Sequence, residues 1–305
     1  MKLGYTSGGA HPRWTDGPGA GGMWKEVPED FQVDELSEVE PTGSGEHQWF
    51  WVEKVGRTTM EVAEALARAA GVSPDSVGYA GMKDRFARTT QAFTVQFGGD
   101  VPDEPMPGVR VLRRERTGRR LRVGQLRGNA FTLRIRGGDA DVARARLARL
   151  AETGMPNFYG VQRVGGDAPA QGRAILCGGG PRLRHHQLKF ALSAWQSVLF
   201  NRVLERRGRG RMRGDVEQDG VPTGPIYGWD MRWPSEDALH FEEDILIEED
   251  LPPGALRRFQ DLTRGTRRPL WVPVHAQVED TDDGFVLSFK LPAGSYATVL
   301  LEEIL

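Results

Sequence analysis

Apolar and polar residues alternate with a period of two in several stretches, the pattern of strands with one face buried. Trp24–Leu36 (WKEVPEDFQVDEL) reads as an extended segment around Phe31 and Val33, and Gln48–Lys54 as a strand with an aromatic core at Trp49, Phe50 and Trp51. Phe93, Val95 and Phe97 alternate with Thr94 and Gln96, and Phe131, Leu133 and Ile135 with Thr132, Arg134 and Arg136. The alternation returns at Leu270–Val278 and Phe285–Leu291. Helical spacing is clearest after Thr58. Thr58 and Glu61 form a capping box, Val62, Leu66 and Ala69 follow the helical period, and Gly71 supplies a stop. Asp139 or Asp141 opens a second helix that runs to about Glu152. Leu188, Leu192, Trp195, Leu199 and Val203 describe a long amphipathic helix. Between these elements, Asn157 to Arg184 is Gly-rich and irregular, and Arg206 to Glu249 reads as turns, Gly, Pro and acid. The first 23 residues, rich in Gly and Pro, read as a loose arm. No internal repeat is visible. The order of elements predicts an α+β fold with an antiparallel core at 1–154 and 265–305 and a different module inserted at 155–264.

With 305 residues, 39% hydrophobic, 27% charged and 9% aromatic, the chain has the composition of a soluble globular protein of one large or two modest domains. No run approaches the roughly 18–20 apolar residues of a membrane span. The start, MKLGYTSGGAHPRWTDGPG, has no apolar run behind its basic residue, so a cytoplasmic protein without a membrane partner is expected. A single cysteine, Cys177, excludes an internal disulfide framework and a Cys-based zinc site. Nothing in the sequence demands more than a monomer.

Charge changes the picture. The formal net charge is −2, yet from Arg110 to Arg127 there are eight arginines against Glu115 alone. Arg202 to Arg213 is a second basic cluster with Glu205 its only acid, and Glu236–Asp250 holds eight acids and no Lys or Arg. A neutral average over separated patches is the pattern of an RNA-binding enzyme with one working face, and equally of two solvated faces.

The best candidate for chemistry is Val77-Gly-Tyr-Ala-Gly-Met-Lys-Asp-Arg-Phe-Ala-Arg-Thr-Thr-Gln91, between a helix and a strand. Gly78 and Gly81 permit close backbone approach or positive φ. Lys83, Arg85 and Arg88 flank Asp84, where they can hold a carboxylate ionised and guide a phosphate backbone; the same residues also read as a surface ion-pair cluster. The Gly-x-x-Gly-x-Lys run is not a P-loop, because the spacing differs and no Ser or Thr follows Lys83. In Gly128-Asn-Ala-Phe-Thr-Leu-Arg-Ile-Arg136, Asn129 can donate and accept at once, as a uracil edge requires. Phe131 can stack on a base or simply fill a core. Asn157-Phe-Tyr-Gly-Val-Gln-Arg163 is a weaker third candidate. His185 and His186 are adjacent and no HExxH spacing occurs, so no metal is expected. No G-x-S-x-G elbow or G-x-G-x-x-G fingerprint is present, and a paired-carboxylate glycosidase remains unspecific.

Seven blocks in order, WKEVPEDFQVDE, GEHQWFWVEK, GYAGMKDRFARTTQ, GNAFTLRIRG, MPNFYGVQR, SAWQSVLFN and LPAGSYAT, together resemble the TruD family of tRNA pseudouridine synthases from about Trp24 to Leu305. The resemblance implies a pseudouridine-synthase core with a mixed, largely antiparallel sheet and a cleft, plus an inserted α/β TRUD module that helps to clamp RNA. It implies isomerisation of uridine 13 in the tRNA D-arm, with tRNA as partner and neither metal nor organic cofactor. Carried over by block, the catalytic aspartate falls on Asp84, the uridine-binding aromatic on Phe31 and the uridine-binding asparagine on Asn129, with Phe131 flanking the pocket. Lys25 matches a lysine that supports the active-site carboxylate. The family's AGSFAT block reads Ala293-Gly-Ser-Tyr-Ala-Thr298 here, so Tyr296 keeps the ring and adds a hydroxyl. Phosphate contacts are expected from Lys83, Arg85, Arg119, Arg120 and Arg122. A non-catalytic RNA-binding protein on the same fold is the alternative.

Overall fold

Phe131, Leu133 and Ile135 lie in an 11-residue strand inside a nine-stranded sheet of the computed structural model, which describes residues 12–96 and 98–305. The strands are β1 Met23–Trp24, β2 Phe31–Ser37, β3 His47–Val55, β4 Val77–Tyr79, β5 Arg88–Gln96, β6 Val109–Thr117, β7 Leu126–Arg136, β8 Ala276–Thr281 and β9 Gly284–Pro292. Their order across the sheet is β8-β9-β7-β2-β5-β3-β6, with β1 on β7 and β4 on β5. Every pair is antiparallel except β2–β5, so the α+β class with a mixed, largely antiparallel sheet is found as expected. This sheet unit comprises Gly17–Glu152, Val274–Gly294 and Ile304–Leu305, and residues 12–16, Thr153–Pro273 and Ser295–Glu303 form a second unit.

Helix α1, Thr59–Ala70, begins where the capping box predicts. The Thr58 hydroxyl accepts from Glu61 N at 3.1 Å, the Thr58 N–H donates to the Glu61 carboxylate at 2.7 Å, and Gly71 closes the helix in the left-handed region. Val62, Ala63, Leu66, Ala67 and Ala70 bury one stripe against Phe50, Val52, Phe93 and Val95 of the sheet. Helix α2, Ala140–Thr153, is capped by Asp139, whose carboxylate accepts from Asp141 N and Val142 N.

Several expectations change. The extended reading of Trp24–Leu36 is broken by a turn at Pro28–Asp30, where proline favours the bend and Asp30, 3% exposed, accepts from Val27 N and pairs with Arg136. Of the predicted loose arm, residues 1–11 lie outside the described residues, as does Phe97 of the third strand. Residues 17–23 are bound: Ala20 is buried, its N–H donates to Ile304 O, and its carbonyl accepts from Asp139 N.

In the second unit, the helix His185–Arg207 buries residues on most of its circumference rather than along one stripe, because other elements surround it. The segment read as irregular contains the helices Val161–Val164 and Ala168–Leu176. Gly172, which as a glycine argues against a helix, is needed there: a Cβ would lie 2.3 Å from the Ala191 carbonyl of the neighbouring helix. The segment read as turns and acid contains the strand Val221–Ile226 and the helix Glu236–Ile247. The second arginine cluster and the acidic run are not separate faces. Arg202 pairs with Glu249, Arg206 with Glu248 and Arg213 with Glu236, while Arg207 and Arg211 take Asp215 and Glu217. The Leu270–Val278 alternation is split between Trp271–Val272 and β8, in two different sheets. Among the described residues, no helix is long and apolar enough to cross a membrane.

Candidate active site

Cross-strand partners share a sheet face. The registers therefore place Phe31, Val33 and Glu35 of β2, Asn129 and Phe131 of β7, Thr89 and Gln91 of β5, and Val52 and Lys54 of β3 on one face, that of α1. The turn between β4 and β5 carries Asp84 to this face.

Buried polar side chains hold that turn from behind. Gln91 donates to Gly81 O at 3.1 Å, Thr59 accepts from Lys83 N at 2.9 Å, and Lys54 donates to the Asp84 carbonyl at 2.7 Å. The hydroxyl of Thr59 in turn donates to Gln91 at 2.9 Å, closing the network. Gly78 is required at the turn's entry, since a Cβ would lie 2.3 Å from Leu121 O; Gly81 has space for one and an ordinary φ. The segment is not helical, so Arg88 starts β5 and pairs with Glu53.

Asp84 is bound at both carboxylate oxygens. Oδ2 pairs with Lys25, and Oδ1 accepts from Phe86 N at 2.9 Å. Lys25 sits at φ 65°, a conformation that costs a residue with a side chain about 1–2 kcal/mol. In return its ammonium lies 4.9 Å from the centroid of Phe31, over the ring, while reaching Asp84. Asp84, Lys25 and Phe31 are thus one constellation.

Lys83 is corrected. At 9% exposed it turns inward to Glu35, which also accepts from Ala92 N, so its ammonium is not presented to an RNA backbone. Arg85 stays on the surface and donates to Gly56 O at 3.2 Å. Phe131 is likewise a packing ring: 7% exposed, it stacks on Phe289 at 5.0 Å and on Phe31 at 6.2 Å. Asn129 lies across from Glu35, and its Oδ1 is buried with no hydrogen-bond partner among the described residues. An orphaned buried acceptor loses the free energy of a hydrogen bond unless a ligand supplies the donor.

Lys54, 1% exposed, was not singled out by sequence reasoning. Burial pulls its ammonium down to about 8, against the pull of Asp84 in the other direction. Its sequence signal is parity: in His47–Val55 it falls in step with the apolar Phe50 and Val52, facing inward. Glu35 gives the same signal in step with Phe31 and Val33.

The tRNA pseudouridine synthase D (TruD) family model matches residues 8–178 and 214–304. The chain belongs to the TruD family. A tRNA pseudouridine synthase D of Anaeromyxobacter dehalogenans is 38% identical over 95% of this chain and 94% of its own length. One from Thermus thermophilus is 37% identical over 95% of this chain and 90% of its own length. A crystal structure from Methanosarcina mazei, assigned to TruD, superposes with a TM-score of 0.75 at 20% identity, covering 96% of this chain and 95% of that one, a likeness of fold.

Tyr296, which the family resemblance singles out, and the arginines that the charge pattern singles out lie in the other unit or away from this constellation's face. Tyr296 is in the second unit, half-buried, meeting Tyr159 edge-on at 5.9 Å; burial raises its hydroxyl above the ordinary tyrosine range. Arg119, Arg120 and Arg122 are exposed in the loop between β6 and β7. They line a cavity of ≈ 770 Å³ with His47 and Trp49, whose parity puts them on the sheet face opposite Lys54. Among the described residues none of the three arginines has a carboxylate partner.

Proposed function

We propose that this TruD-family chain isomerises a uridine of tRNA, uridine 13 of the D-arm, to pseudouridine, with Asp84 as the catalytic carboxylate. The observation that supports this reading most directly is the Asp84–Lys25 pair, fixed on a turn whose peptide groups are bonded to buried side chains. The reaction breaks the N1–C1′ bond, turns the uracil and joins C5 to C1′; N1 gains a proton and C5 loses one, so atoms and electrons balance within one nucleotide. Those atoms are hidden in a stacked loop, so the nucleotide is flipped out. Asp84 provides the nucleophile or base that detachment needs, and a carboxylate can also take the C5 proton. Lys25 balances its charge and lies over Phe31, which at 7% exposed is as buried as Phe131, so the two rings together form an apolar wall behind the carboxylate. Asn129 Oδ1, unpaired and buried, accepts from the uracil imide N–H and holds the base while it turns. Residues 1–154 and 265–305 act as the catalytic core, and 155–264 as the module that helps to hold RNA.

The test is a pseudouridine map, by carbodiimide (CMC) treatment and primer extension, of unmodified tRNA incubated with wild-type protein and with Asp84→Asn. A new stop at uridine 13 with wild type alone supports the assignment. Turnover by Asp84→Asn close to wild type removes Asp84 from its role. Salt-sensitive tRNA binding without any stop favours a binding protein, and free uracil in solution a hydrolase.

A further inference from the structure

The turn that carries Asp84 sorts its side chains sharply. Ala80 and Ala87 are 0% exposed and Lys83 is 9% exposed, whereas Met82 is 61% and Phe86 44% exposed. Single exposed apolar residues are ordinary. Here two large ones stand on either side of one carboxylate, on a segment that does not fray: Gly81 O, Lys83 N and Asp84 O are each bonded to a buried side chain. The ring is therefore presented by a fixed backbone. Arg85, the exposed residue between Asp84 and Phe86, donates its Nε–H to Gly56 O at 3.2 Å. A solvent-facing ring on a fixed backbone, with an exposed arginine next to it in sequence, suits a nucleic acid, which offers flat π-faces along a phosphate backbone.

We propose that Phe86 stacks on a nucleobase adjacent to the target uridine, so that the enzyme grips the RNA beside the flipped position. This rests on the reading of the site as a tRNA pseudouridine synthase. Flipping one nucleotide takes away its neighbour's stacking partner, and a protein ring on that neighbour takes the partner's place. The stacked ring also reaches the chemistry. The Phe86 N–H is the donor to Asp84 Oδ1, so RNA that seats the ring holds the carboxylate's second oxygen in place. Substitution of the side chain leaves that N–H intact, and an exposed ring contributes little to the fold, so activity reports the stacking itself.

The test compares wild type with Phe86→Ala, Phe86→Leu and Phe86→Tyr for pseudouridine formation on full-length unmodified tRNA under single-turnover conditions, together with tRNA affinity. Stacking of about 1–3 kcal/mol corresponds to a roughly 5- to 150-fold loss of kcat/KM for Phe86→Ala. Phe86→Leu loses a similar amount because it lacks a ring, while Phe86→Tyr stays within about threefold. Wild-type kcat/KM in Phe86→Ala overturns the proposal. So does wild-type activity in Phe86→Leu, which reduces the role of the ring to apolar bulk. If wild type itself makes no pseudouridine, the proposed function fails separately, and stacking by Phe86 is decided by tRNA affinity alone: unchanged affinity in Phe86→Ala overturns it.

Discussion

Asp84 is anchored at three atoms, Oδ2 by Lys25, Oδ1 by Phe86 N and the carbonyl by Lys54, and the last of these anchors is the least expected. Placing an ammonium where 1% of the residue is exposed disfavours its charged form, which is why Lys54 falls from 10.5 to about 8. The depressed value has a definite sign. Between pH 8 and 10.5 the unfolded chain holds a proton on Lys54 that the folded chain has released, so in that window raising the pH removes a penalty on folding. Wild type is therefore expected to gain about 2 kcal/mol relative to Lys54→Met between pH 7 and pH 9.5, measured by urea unfolding. A pH-independent difference between the two would show that Lys54 is not held in a desolvated state. Lys25 and Lys83 make the same point in contrast: of three lysines around the turn, one meets the carboxylate of Asp84, one its carbonyl and one a different acid, Glu35.

Elements are fastened by pairs whose members lie far apart in sequence. In Glu236–Ile247 the buried positions are Ala238, Glu242 and Ile245, spaced as a helix buries one side, but the middle one is a carboxylate. Burial raises the Glu242 carboxyl above the usual carboxylate range, and Arg267, on the strand Thr266–Pro269, offsets part of that with hydrogen bonds at 2.6 and 2.7 Å. Arg267→Met is expected to destabilise the protein by about 3–5 kcal/mol, because it leaves a buried charge without its partner. The double variant Glu242→Leu with Arg267→Met is expected to recover most of that loss. Chemical denaturation of wild type, both single variants and the double variant decides it, and full additivity of the two single losses would mean that the helix is not docked through this pair.

Across the whole molecule, the net charge of −2 conceals two kinds of arginine. Five of the six from Arg202 to Arg213 are matched to carboxylates, and Arg119, Arg120 and Arg122 are not. Unmatched, exposed cations are the ones that release counterions from RNA. Neutralising Arg119, Arg120 and Arg122 to Gln is expected to weaken tRNA binding and to lower the slope of log affinity against log salt by up to ~0.9 for each phosphate no longer neutralised. Arg206→Gln, which removes a cation already paired with Glu248, is expected to leave the slope unchanged. Titrations from low to moderate salt distinguish the two, and equal slopes for wild type and the triple variant would make the loop a solvated surface.

What the sequence determined is what depends on near neighbours. The alternation at Phe131, Leu133 and Ile135 sets a strand, and Thr58, Glu61 and Gly71 set both ends of α1, because pleat and cap are local geometry. The ordered blocks around Lys25, Phe31, Asp84 and Asn129 carried the family to which the chain belongs. Gly172 and Glu242 misled the local reading for one reason: each is unfavourable to a buried helix until a distant partner, the Ala191 carbonyl or Arg267, is brought beside it. The same limit hid the site's supports. Only the folded chain decides that Lys83 turns to Glu35, that Lys54 takes the Asp84 carbonyl, and that Phe131 is covered by Phe289. Each depends on which strand lies next to which, and β2 pairs with β5 across more than fifty residues of intervening chain, a choice made by the packing of the whole sheet.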